Sequence, residues 1–445
     1  MSPSVSVLPG GLRVCVESVP QYGRGLAAVA LTVAAGGDDD PAGRHGTAHL
    51  VEHLMFPRSG GSSADPAGEG YAALVAGAGG VCNAETHRDH TVFHTTVPAE
   101  LLPDALSWEA GRLLGFAPTE DVIRTETDVI AEEIRGAGDA GRYWESALGA
   151  LYPGSRDSFG TATELVGITA GEVGAFFRSH YTAPRMVLSV VGDVDPARVM
   201  AVVREVFAGV ARTAEETRAA EAPRTAREPR TTEQTHAARE PRAAEAPRTV
   251  TEIRTAPLPA ARAGVAVGHP LPDPVADRPA YLAQAVLAQV LGRSRLPALA
   301  RSARDGRRLT SATVTCGYHG QWLASAAPDL TLAVLGRAPG TEVGAAVDIW
   351  RSVLRAVADG PLPEAEHRRA VNSLLVAWHR QADSLPTRAV ALGRDALLLP
   401  GSAGPDALPA ELRRTTPAEV AAAARALLEG PVTVTELAPQ KGTVG

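Results

Sequence analysis

Two histidines and a glutamate fall within one short stretch, Ala48-His49-Leu50-Val51-Glu52-His53-Leu54-Met55-Phe56. Read as an α-helix, the spacing of four puts His49 and His53 on one face, one turn apart. Glu52 then lies close enough to reach a water on a metal that both imidazoles hold. Leu50, Val51, Leu54, Met55 and Phe56 cover the other faces, so the helix is expected to be buried. Buried imidazoles and carboxylates are costly unless they are bonded. Zinc accepts both ligand types, and a catalytic zinc site combines three protein ligands with a water. The competing reading is a buried helix whose histidines bond to backbone. The order His-x-x-Glu-His inverts the commoner His-Glu-x-x-His spacing.

A second acidic constellation lies in Val122-Ile123-Arg124-Thr125-Glu126-Thr127-Asp128-Val129-Ile130-Ala131-Glu132-Glu133-Ile134-Arg135. Seven residues make almost two helical turns, so Glu126 and Glu133 share a face. Val122, Ile123, Val129 and Ile130 dock that helix, while Asp128 and Glu132 read as exposed acidic surface. Asp38 to Asp40 read as a solvated loop, His45 as a loop or capping residue, and His87, His90 and His94 as surface histidines.

Strands must deliver the chain to these helices. Leu12 to Val19 and Leu26 to Ala35 read as strands, and the second runs into Gly36-Gly37 ahead of the histidine helix. Two more strands flank a polar turn at His87-Arg88-Asp89-His90. Leu101 to Gly115 is amphipathic. Met186 to Gly192 reads as a buried strand, followed by a turn and a helix to Phe207.

At 445 residues with 45% hydrophobic and 21% charged residues, the chain has globular composition and room for two or three domains. A net charge of −7 argues against nucleic acid or an anionic membrane as partner. Cys15, Cys82 and Cys316 form neither a disulfide framework nor a Cys-x-x-Cys site and read as free thiols in a reducing compartment. No leader pattern opens the chain and no long apolar run occurs; a cytoplasmic location is expected.

His49-x-x-Glu52-His53, the Gly-Gly-x-x-Asn-Ala stretch at 79–84, and Glu126 with Glu133 in a Val-Ile-x-Glu-Glu-Ile helix resemble the pitrilysin/insulinase family. Within it, the likeness is to bacterial relatives of the mitochondrial processing peptidases. It continues through Leu151-Tyr152-Pro153, Phe176 to Tyr181 and Met186 to Pro196. The resemblance implies an α+β fold of two homologous halves, each a mostly antiparallel sheet covered by helices, forming a clamshell. It implies one zinc ion per chain held by His49, His53 and Glu133, with Glu132 as the competitor for third ligand. Glu126 is implied to support a ligand, Glu52 to act as general base, and Asn83 and Ala84 to bind an extended peptide substrate.

From about Gly209 to Pro257, Ala, Arg, Glu, Thr and Pro dominate and a twelve-residue repeat appears: Ala-Arg-Glu-Pro-Arg at 226–230 returns at 238–242. Such a segment cannot bury a core. The expected organisation is therefore a metal-binding half at 1–208, a flexible linker at 209–257, and a homologous half without metal at 258–445. In active family members the second half carries an Arg and, seven residues later, a Tyr that contact the substrate. Arg304 fills the first place here, but Ser311 stands where the Tyr is expected and Tyr318 comes seven residues late. The expected function is a zinc-dependent endopeptidase, self-sufficient or paired with a homologous subunit or a second copy; the alternative is a non-catalytic scaffold or peptide-binding member of the family.

Overall fold

The computed structural model describes residues 3–56, 71–136, 139–210, 252–301 and 308–439. Six strands make the first sheet: β1 (Ser4–Val7), β2 (Arg13–Ser18), β3 (Leu26–Val33), β4 (Val81–Thr86), β5 (Thr91–Pro98) and β6 (Met186–Gly192), in the order β1-β2-β6-β3-β5-β4. The apolar runs in β3 and β6 take central places and are buried almost throughout, as strands covered on both faces are. The alternating β4 lies at the edge, with every second residue exposed.

The second sheet contains β7 (Glu252–Arg254), β8 (Leu258–Ala260), β9 (Gly264–Pro270), β10 (Leu309–Cys316), β11 (Leu330–Arg337) and β12 (Val432–Pro439). Its path is β10-β11-β9-β12-β7, with β8 also on β12. Laid beside the first sheet, β2-β6-β3-β5-β4 and β7-β12-β9-β11-β10 agree strand for strand. Each path begins with one parallel pair and is antiparallel thereafter. The expected α+β fold with two homologous, mostly antiparallel halves is what the chain adopts. Glu252–Arg254, read from composition as linker, instead pairs with β12. Residues 211–251 lie outside the described residues.

One face of the first sheet packs on α1 (Thr47–Leu54), α2 (Leu102–Leu114), α3 (Glu120–Gly136), α5 (Ala170–His180) and α6 (Pro196–Val206), α4 (Asp139–Leu151) being placed elsewhere. Leu31, Leu50, Phe93, Leu106, Ile130, Leu188 and Phe207 are the centre of that core. In the second half the helix following β9 is α7 (Arg278–Val290). It is apolar, and its one buried amide, Gln284, bonds to Pro270 O and Thr331 Oγ1 at 3.0 Å each. It presents no His-x-x-Glu-His, so the repeat of the fold does not repeat the donors.

Two helices depart from a simple division of the chain at 208 and 258. The compact unit built on the first sheet includes Gln381–Pro405, and the unit built on the second includes Gly136–Arg156. Thus α8 (Leu385–Leu398) covers the remaining face of the first sheet, with Ala389 and Leu392 on Ala28, Ala30, Val92 and Val191. The Arg388 guanidinium meets both carboxylate oxygens of buried Glu17 at 2.7 Å. In turn, α4 packs Trp144, Ala147, Leu148 and Leu151 on Ala266, Leu330, Leu332 and Leu437 of the second sheet. Among the described residues no helix is long and apolar enough to cross a membrane.

Candidate metal centre

The chain leaves β3 through Gly36 and Gly37, which press so closely on the 87–88 backbone and on Asp157 that a Cβ at either would overlap them. Asp40 then caps α1: its two carboxylate oxygens accept from Gly46 N at 2.6 Å and Ala48 N at 2.7 Å. These are donors that the start of a helix leaves without partners. Burial pushes the Asp40 carboxyl up to about 6 against the pull of both bonds. The Asp38–Asp40 run is therefore not the solvated loop its composition suggests. Asp38 pairs with Arg88 at 3.1 Å, and Asp39 accepts from Gly36 N at 3.1 Å. Close backbone approach leaves water little room there.

Capped in this way, α1 buries Ala48, His49, Leu50, Val51 and Leu54 and turns its imidazoles toward α3. His49 Nδ1 lies 3.0 Å from Phe159 O, and His53 Nδ1 lies 3.0 Å from Glu126 Oε2. A carbonyl only accepts, so His49 carries its proton on Nδ1; the carboxylate asks the same of His53. Both Nε2 atoms are left as acceptors, and they face each other at 3.2 Å. Glu133 Oε2 completes a triangle, 3.5 Å from each Nε2. Three lone-pair donors this close repel unless a cation lies among them.

The dimensions fit an ion of zinc's size. Zinc bonds of about 2.0–2.2 Å in a tetrahedron separate ligand atoms by about 3.3–3.6 Å; the two 3.5 Å edges fall in that range and the 3.2 Å edge lies just below it. Among the described residues this is the one group of three or more His, Cys, Asp or Glu donors arranged to hold a metal. Of the three donors, Glu133 is the exposed one. Burial opposes protonation of His53, but the Glu126 bond and the charges on Glu133, Glu52 and Glu126 outweigh it and raise its pKa.

Glu52 lies between the two histidines on α1, and its Oε2 accepts from the Thr86 hydroxyl. Thr86 ends β4, the edge strand, so the carboxylate is tied to the margin of the sheet. Of the expected peptide-binding pair on β4, Asn83 is exposed, whereas Ala84 is half buried against the core. Glu132 points away from the triangle to Arg135, at 2.5 Å. Ser311 is exposed on β10, opposite Gly336. Tyr318 packs edge-on against Trp144 with ring centroids 6.0 Å apart. Arg304 lies outside the described residues.

Other histidines read as surface residues are interior. His87 and His90 are buried and stack with centroids 4.4 Å apart, and burial pushes His90 down to about 4. His94 is half buried. Their turn-like neighbours suggested exposure, but the turn is clamped against Gly36. His45 is buried too, with Nε2 3.0 Å from Asp157 O. Sequence reasoning also missed Thr86, Phe159 and Asp40. Only Thr86 left a signal: alternation along β4 puts it on the same face as Ala84. Cys15, Cys82 and Cys316 are free.

Residues 16–137 match the family model for insulinase (peptidase family M16), and residues 167–374 match the model for the peptidase M16 inactive domain. An uncharacterized zinc protease of Mycobacterium tuberculosis is 32% identical over 212 residues, 46% of this chain and 47% of that protein. The mitochondrial-processing peptidase subunit beta of Dictyostelium discoideum is 27% identical over 217 residues, 46% of this chain and 44% of that one. The chain thus spans about half the length of the curated relatives it matches. The crystal structure of a protease from Helicobacter pylori shares the fold with a TM-score of 0.78 at 18% identity, covering 98% of this chain and 99% of that one.

Proposed function

The chain belongs to the insulinase, or M16, family of peptidases, and from that premise we propose that it is a zinc-dependent endopeptidase with His49, His53 and Glu133 as ligands. The observation that carries the proposal is the donor triangle of 3.2, 3.5 and 3.5 Å, whose Nδ1 atoms are already engaged elsewhere. A zinc ion bound there supplies Lewis acidity and brings a water toward a pKa of about 7. Glu52, with Oε2 held by Thr86, keeps its other oxygen for a proton. It takes that proton from the attacking water and passes it to the leaving amine. Glu126 and the Phe159 carbonyl keep the two rings aimed.

The substrate is an extended peptide or unfolded segment that adds as a strand to the open edge of β4, along Asn83 and Ala84. Recognition of that kind rests on backbone hydrogen bonds more than on side chains. The contact between Thr86 and Glu52 supports it, because it puts the end of that edge beside the base.

A paired form has its own support. Ser311 stands where the family's Tyr is expected, and the Dictyostelium relative is named as a subunit. We propose that a homologous subunit supplies the missing group. Zinc content and fluorogenic-peptide hydrolysis of the purified chain, alone and mixed with a homologue encoded beside it, test both forms. One zinc with activity alone establishes a self-sufficient peptidase, and activity only in the mixture establishes the paired one. Zinc without activity in either sample would sink the peptidase reading and leave a binding or scaffold role.

A further inference from the structure

His49 and His53 are oriented by unlike partners. His53 leans on a charged side chain, Glu126, whereas His49 leans on a main-chain carbonyl, Phe159 O. A carbonyl can aim an imidazole only if its own loop is fixed, so what fixes residues 157–160 bears on the metal. We infer that Asp157, gripped by His45, is a positioning residue for the ligand His49; the inference rests on the metal centre proposed above.

Asp157 Oδ1 accepts from Phe159 N at 3.1 Å and from Gly160 N at 3.2 Å. A side-chain oxygen that closes on the backbone two and three residues later makes an Asx-type turn. That turn sets the direction of the Phe159 carbonyl. His45 Nε2 lies 3.0 Å from Asp157 O and 3.3 Å from Asp157 Oδ1, and His45 stands just ahead of α1. His45, two residues ahead of the metal helix, therefore holds the turn that orients the helix's first ligand.

The surrounding packing leaves the turn little freedom. Gly160, at φ +92°, lies directly on Gly46, at φ +106°, and a Cβ on Gly160 would overlap the Gly46 backbone. Gly37 closes the other side against Asp157 O. Thr161 N donates to His45 O at 3.2 Å. The Phe159 ring meets the His49 ring edge-on, with centroids 5.7 Å apart. Each contact joins the 37–46 segment or α1 to the 157–161 loop, and together they enclose the His49 Nδ1 bond.

The test is the zinc dissociation constant, measured by competition with a chromophoric chelator, together with the cobalt(II) absorption spectrum. Wild type, Asp157→Ala and Asp157→Asn are compared, with thermal unfolding of each metal-free protein alongside. Loss of the turn should weaken zinc binding by about 10- to 100-fold, the usual range for groups that orient a ligand, and should alter the cobalt bands. Asn keeps an Oδ1 acceptor for both N–H groups, so it should recover most of the affinity; a role through charge would not be rescued. If Asp157→Ala does not fold, Asp157→Ser, with its shorter acceptor, should fall between Asn and the full loss. Asp157→Ala or Asp157→Ser binding zinc as wild type does, with unchanged cobalt bands, would overturn this inference alone, however far the metal-free melting temperature moved. Wild type that takes up no zinc would overturn the metal centre and this inference with it.

Discussion

His53 Nδ1 lies 3.0 Å from Glu126 Oε2, with 13% and 4% of the two side chains exposed. The contact aims His53 Nε2 at His49 and Glu133, and it also favours the imidazolium. Burial works against that charge, but the Glu126 bond and the three neighbouring carboxylates prevail, so the pKa rises from 6.5. In the metal-free protein a proton therefore competes for the place proposed for the metal. The same carboxylate that orients the ligand also sets the pH at which it becomes available.

Zinc binding should release a proton from His53. Below its raised pKa the apparent affinity should climb at least about tenfold per pH unit, because only neutral imidazole binds metal, and it should level off at higher pH. Glu126→Gln should move the break to lower pH. For the metal-free fold the sign is opposite: a raised pKa stabilises below 6.5, and that contribution fades as pH rises through the folded-state value. Calorimetric titration of zinc in buffers of different ionisation enthalpy reads the proton count, and a count independent of pH would refute the competition.

Glu52→Gln should keep zinc and lower peptide hydrolysis by about 100- to 10 000-fold, the range for losing a general acid–base group. Metal analysis and initial rates on one preparation decide it. Undiminished hydrolysis would exclude Glu52 as the base.

Glu133 and Glu132 are neighbours with opposite surroundings, the first in the donor triangle and the second paired with Arg135 on an exposed face. Glu133→Gln should cost at least about 100-fold in zinc affinity, beyond the loss typical of groups that only orient ligands. Glu132→Gln should change it little, since exposed pairs contribute about 0–1 kcal/mol. The reverse ranking would reassign the third ligand.

Asp40 titrates in the folded protein at about 6 against 3.8 for the free group. The folded state then binds the extra proton between those values, so stability falls as pH rises through that window. Measured against Asp40→Asn, which does not titrate, wild type should lose on the order of 2–3 kcal/mol from pH 4 to above pH 6. Urea unfolding of metal-free protein across that range checks the sign.

Gly393, on α8, faces Thr32 Oγ1 and Ser189 Oγ so closely that a Cβ would overlap the Thr32 hydroxyl. In an open helix Gly→Ala stabilises by about 1 kcal/mol. Here overpacking should reverse the sign, and Gly393→Ala should destabilise by about 1–3 kcal/mol. A higher urea midpoint for the variant would show that α8 sits farther from the sheet.

His49, Glu52 and His53 were legible because their relationship is local: five consecutive positions of one helix fix which side chains leave the same face. Glu126 and Glu133 share a face for the same reason, and the resemblance singled out Glu133 over Glu132. The resemblance likewise pointed to the strand carrying Asn83 and Ala84 as the one that takes up a peptide. Nothing periodic connects His49 to the carbonyl of Phe159, 110 residues on, or Glu52 to Thr86, 34 residues on. Those contacts exist because the sheet order brings β4 beside α1, and because glycines at 37, 46 and 160 let backbones meet. The burial of His87 and His90, and the placement of α4 and α8 on sheets that the other half of the chain builds, have the same origin. The sequence by itself determined which donors share a helix face; the tertiary structure decided which nitrogen of each imidazole faces the others, since that depends on partners supplied by distant segments.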